Sequence, residues 1–133
     1  MHRTISRWPA LVYVVMSLSL GGCFLVAAGA GAGAAVAYTN RGAKSTVDGS
    51  VDQTFDRAVS AFQQLNISET GRNTQESGAK RQLVGNSTNG LTVTVDMERK
   101  TATTTEVEVI AKTNAVDYDK DFATSVMNKI IQH

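Results

Sequence analysis

From Ile67 to Asn114 the apolar side chains tend to fall on every second position, and a period of two over such a length demands a sheet with one buried face. In "GLTVTVDMERK" Leu91, Val93, Val95 and Met97 alternate with Thr92, Thr94, Asp96 and Glu98. "TTEVEVIAKTN" repeats the pattern, with Val107, Val109 and Ala111 inward and Glu106 and Glu108 outward. Asn89-Gly90 is a strong hairpin-turn signal and pairs the first of these strands with "AKRQLVGNST". "SETGRNTQES" is a weaker candidate for an edge strand, and Thr39 to Asp48 supplies another.

The flanking segments carry a different period. Val51, Phe55, Ala58, Val59, Phe62 and Leu65 recur at steps of three and four, which predicts a helix with one apolar stripe. Ser50 with Gln53 forms a capping box ahead of it, and Asp52 favours the positive end of the helix dipole. The closing "VDYDKDFATSVMNKIIQH" has a second stripe of Phe122, Ala123, Val126 and Ile130, with Met127 at its margin, and Lys129 and His133 complement the far end of the dipole. The expected fold class is α+β: a two-layer sandwich with a mainly antiparallel sheet of about four to five strands and two helices on one face. The other face is expected to be rich in Thr, Asp, Glu, Arg and Lys.

Ahead of this domain stands "LGGCFLVAAGAGAGAAVAY", Leu20 to Tyr38. Gly29, Gly31 and Ala34 match the spacing of a dinucleotide-binding loop, but that loop needs a strand before it and an acid at the end of a second strand. Here a hydrophobic leader precedes the glycines, and Asp48 and Asp52 fall in a loop and at a helix start, so no nucleotide is expected. The leader holds Arg3 and Arg7, no acid, and an apolar run from Ala10 to Leu20, the layout of a secretory signal. That run is about half the ~20 residues a spanning helix needs. Leu20, Gly21, Gly22 and Cys23 resemble the bacterial lipobox, which implies cleavage before Cys23 and covalent lipid on its sulfur. Several acyl chains at about 0.8 kcal/mol per methylene anchor a protein without a transmembrane helix. Phe24 in place of an aspartate resembles the signal for transfer to the outer membrane.

The division that follows is a lipoprotein signal peptide over 1–22, a lipidated cysteine with an Ala/Gly-rich membrane-proximal segment over 23–44, and an α+β domain over 45–133. As a helix, Phe24 to Tyr38 reaches about 22 Å, short of the ~30 Å hydrocarbon core. Gly29 and Gly33 form a small face of the kind that lets helices approach in lipid, and a flexible spacer is the alternative.

Chemistry is sparse. The histidines are His2, in the leader, and His133, at the terminus, so no nucleophile has a base. Cys23 is the only cysteine, which excludes an internal disulfide and a cysteine zinc site, and Trp8 departs with the signal. Asp117, Asp119 and Asp121 have the spacing of a calcium loop, but Phe122 stands where that loop requires glycine and Asn128 where it requires glutamate. Capping of the helix start accounts for them. Asp96 with Glu98, and Glu106 with Glu108, are paired carboxylates on an exposed strand face, and the asparagine sequons at Asn66 and Asn86 have no role in a bacterial lipoprotein. Thirteen basic against twelve acidic residues argue against a nucleic-acid partner.

The lipobox, the Ala/Gly run ending in Tyr38, the helix "VDQTFDRAVSAFQQLNI", the Thr/Val strands and the closing helix together resemble a family of small bacterial lipoproteins with an uncharacterised periplasmic domain. The resemblance implies no catalytic residues and no cofactor beyond the lipid on Cys23. The expected function is that of an envelope interaction or structural module, not an enzyme, held by its lipid on the periplasmic face of the outer membrane, with an envelope protein as its partner. The alternatives are a membrane-active or oligomerising component that uses Gly29 and Gly33, and a small-ligand-binding periplasmic domain.

Overall fold

The computed structural model describes residues 36–133. Six strands and two helices follow in the order β1 (Val36–Tyr38), β2 (Gly42–Asp48), α1 (Val51–Gln64), β3 (Ile67–Gln75), β4 (Lys80–Ser87), β5 (Thr92–Arg99), β6 (Thr104–Lys112) and α2 (Lys120–Ile131), with a 3-10 turn at Glu76–Gly78. The strands form one antiparallel sheet in the order β1-β2-β6-β5-β4-β3. The α+β class holds, and the strand count is six where four to five are expected. The extra strand is β1: three residues at the end of an Ala/Gly/Val run are too few to show a period, and backbone pairing with β2 is what defines them.

The helices share one face. Ser50 caps α1 as the sequence predicts, with the Gln53 amide donating to the Ser50 hydroxyl at 3.3 Å and the Ser50 amide donating to the Gln53 side chain at 3.0 Å. Its buried side is Val51, Thr54, Phe55, Ala58, Ala61 and Phe62, while Val59 and Leu65 are only partly covered. On α2 the buried residues are Ala123, Val126, Met127 and Ile130, and Phe122 is half-buried, so the stripe is rotated toward Met127. Against both helices lie Ala43 and Val47 of β2, Val107, Val109 and Ala111 of β6, Val93, Val95 and Met97 of β5 and Leu83 of β4.

Two glycines permit this packing. At Gly42 a β-carbon would overlap the carbonyl oxygen of Val109 and sit 3.3 Å from the Ala123 β-carbon. At Gly85 it would lie 2.8 Å from Ile67, Phe62 and the Ser68 carbonyl. The turns are closed by polar contacts. The Thr105 hydroxyl donates to the Gly49 carbonyl at 2.9 Å, and Gly90, at φ +81°, completes the β4–β5 hairpin that Asn89-Gly90 predicts.

At the outer edges, β1 is short and β3 is long, polar and irregular, with a bulge between Glu69 and Gly71 that bends it away from simple pairing.

Candidate functional site

With both helices on one side, alternation sends every second side chain of each strand to a face that no described element covers. Register arranges these side chains in rows. One row places Lys44, Glu108, Asp96, Gln82 and Asn73 across β2, β6, β5, β4 and β3. The next places Thr46, Glu106, Glu98, Lys80 and Gln75 in the same order. The two paired carboxylates of β5 and the two of β6 therefore meet in one block, with Asp96 directly opposite Glu108 and Glu98 directly opposite Glu106. A hollow of about 310 Å³ lies over them, reaching from Lys44 on one side to Asn73 and Gln75 on the other.

Electrostatics within the block are uneven. Lys44 bonds Glu106 at 2.9 Å, and Lys100, from the β5–β6 turn, lies 3.4 Å from Glu106 and 3.6 Å from Glu98. The hydrogen bond to Glu106 holds the Lys44 ammonium above the ordinary lysine value against its desolvation, with the charges of Glu106, Glu108 and Glu98 adding attraction. For Glu106 desolvation pushes upward, but the bonds and charges of Lys44 and Lys100 outweigh it, so its carboxyl titrates below the usual range. Asp96 accepts a 2.6 Å bond from the neutral Gln82 amide.

The expected composition of this face is met for Thr, Asp, Glu and Lys, but not for Arg81, which belongs to the helix side. Its guanidinium stands 3.7 Å from the centroid of the Phe55 ring and bonds Asp52 of α1 at 2.8 Å. Arg72 of β3 approaches the same ring at 5.4 Å and forms an ion pair with Glu69 that holds the Glu69 carboxyl below its ordinary value. These contacts clamp α1 to the β3–β4 edge, a structural task.

Capping accounts for two of the three aspartates of the closing segment, Asp119 and Asp121, and not for Asp117. Asp119 is the N-cap of α2, accepting from the Phe122 amide at 2.8 Å; Asp117 accepts from the Thr113 amide through its backbone carbonyl; Asp121 lies in the first turn. Among the described residues no group of histidine, cysteine and carboxylate side chains could hold a metal ion, and no helix is long and apolar enough to cross a membrane. Cys23, the lipobox residues Leu20, Gly21 and Gly22, and the small face of Gly29 and Gly33 lie outside the described residues.

The roles of Lys44, Lys100 and Gln82 escape a reading of single strands, because each acts across the sheet and register is invisible within any one strand. The only signal of the block is that "VDMER" and "TEVEV" place acids at matching alternate positions.

A family model described as "Protein of unknown function (DUF3568)" matches residues 8–132. None of the curated proteins compared with the chain matches it.

Proposed function

The chain belongs to the DUF3568 family, and from that premise we propose that it is a lipid-anchored protein of the bacterial envelope that works by contact, not catalysis, through the open face of its sheet. The observation that carries this reading is the one-sided architecture. Both helices pack on one face, and the opposite face of a six-stranded sheet presents side chains from β2 to β3 around a polar hollow. Antiparallel sheets commonly leave one face to water, but a hollow ringed by charge and amide groups is a surface shaped for a partner. Glu106, matched by Lys44 and Lys100, titrates below the usual carboxylate range, the opposite of what a general acid needs, which favours binding over proton transfer.

Anchoring is argued from the residues themselves: a charged leader, an apolar run too short to span, and Leu20-Gly21-Gly22-Cys23 at its end. Cys23 would carry the lipid, and the domain would stand in the periplasm at the outer membrane. The test is the intact mass of the mature chain from bacterial membranes beside a Cys23→Ala variant. A chain that begins at Cys23 with acyl groups attached, lost in the variant, is expected. An unprocessed chain that starts at Met1 and stays in the membrane would overturn it.

A further inference from the structure

Like charges directly opposite one another on neighbouring strands, with β-carbons about 4.5–5.5 Å apart, oppose sheet formation. The open face holds two such pairs side by side, Asp96 with Glu108 and Glu98 with Glu106, and the available lysines do not divide evenly between them. Lys44 and Lys100 both serve Glu106, and Lys100 also reaches Glu98. Asp96 has only the Gln82 amide, and among the described residues no ion pair or hydrogen bond reaches Glu108. Lys44, directly opposite Glu108 on β2, attracts it without bonding it, so the block of four carboxylates and the three lysines Lys44, Lys80 and Lys100 keeps a net negative charge, with its least-paired acids at the floor of a hollow of about 310 Å³.

The charge sequence across the face runs lysine, acid, acid, lysine: Lys44 on β2, Glu106 and Glu108 on β6, Glu98 and Asp96 on β5, Lys80 on β4. A second copy stacked face to face about a two-fold axis over the centre of this block would set acid against acid, so the surface is not complementary to itself. It is complementary to a segment with positive charge at its centre.

We infer that the open face docks a segment of a partner protein that seats an arginine or lysine side chain between Asp96 and Glu108, with the Asn73, Gln75 and Gln82 amides bonding the segment's polar flanks. The inference rests on the reading of the open face as a contact surface and adds the chemistry of the partner. A guanidinium suits the position best, since its planar fork can donate to two carboxylates at once and is weakly hydrated. The repulsion retained in the free protein is relieved on binding, so part of the affinity comes from a strained surface and not only from new contacts.

The experiment titrates the full chain, in micelles of an uncharged detergent, with a blocked serine/threonine peptide carrying one central arginine, and with its citrulline counterpart. Amide shifts in the NMR spectrum locate the site. The arginine peptide is expected to shift β5 and β6 saturably and the citrulline peptide not. Glu108→Gln should weaken arginine binding about tenfold or more, the loss of one charge-assisted contact, while leaving the urea midpoint no lower, since relief of the Asp96 repulsion offsets the lost attraction to Lys44. Asp96→Asn should do the same, and a variant of undiminished stability that does not bind cannot be explained by misfolding. No binding, or equal binding of both peptides, or arginine binding unchanged in Glu108→Gln overturns the inference. Shifts confined to α1, α2 or the β3 edge overturn the open-face reading as well. Anchoring is read separately from the mass of the Cys23→Ala variant, so its failure is distinguishable from either.

Discussion

Gly42 and Gly71 differ in what surrounds them, and the difference fixes the sign of a substitution. A methyl group at Gly42 meets the Val109 carbonyl, which belongs to the β2–β6 ladder and cannot turn aside. Gly42→Ala should therefore lower stability by about 1–3 kcal/mol or more in urea denaturation. Gly71 has open space about it, and Gly71→Ala should be neutral or stabilise by about 0.4–1 kcal/mol through the unfolded chain. A second pair of residues sets a pH dependence. Glu106 titrates below its ordinary value when folded, so its share of stability is complete above the ordinary carboxylate value and vanishes as pH falls through the folded one. Lys44 titrates above its ordinary value, so its share is complete below the ordinary lysine value and vanishes as pH rises through the folded one. Lys44→Met should flatten the stability profile in both windows, as urea midpoints measured across pH would reveal. Since Lys44 is 40 % exposed, the effect is that of a screened surface pair.

At the scale of elements, the caps are the most testable local choices. Ser50 accepts from the Gln53 amide and Asp119 from the Phe122 amide, each satisfying a donor that the first turn of a helix leaves free. Ser50→Ala and Asp119→Ala should each cost about 1 kcal/mol, read as a shift in thermal midpoint, and the two losses should add because they act on separate helices. These caps were legible in the sequence, as were the inward residues of β5 and β6 and the Asn89-Gly90 hairpin, because each is a property of a few consecutive residues. What was not legible depends on neighbours far along the chain. Periodicity gives a helix stripe its width, but the sheet beneath decides its phase, which is why Met127 is buried and Phe122 only half so. Arg81 sits in a stretch of mixed charge, and only the register with Met97 and the ring of Phe55 reveal that it turns toward the helices. β1 has too few residues for any period, and it exists because β2 offers a free edge.

Over the whole molecule, β2 and β6 are neighbours in the sheet although α1 and three strands separate them in sequence, so this closure brings the two ends of the domain together. Such a long-range pairing is entropically expensive before it is rewarded, and it should form late: Val47→Ala should speed unfolding far more than it slows refolding, measurable as a chevron in urea. β1 lies outside that closure and contributes only the partly buried Val36 to the core, so a chain starting at Thr39 should still fold cooperatively as a five-stranded sheet. The same peripheral position has a mechanical meaning. Tension arriving from the N-terminal side meets three backbone pairings at an outermost strand before it meets anything that holds the core. Peeling β1 and its turn would release Val36 to Arg41, roughly 20 Å of slack, while the helices stay seated on the remaining strands. A pull strong enough to lift the first strand would lengthen the leash before it damaged what the leash holds.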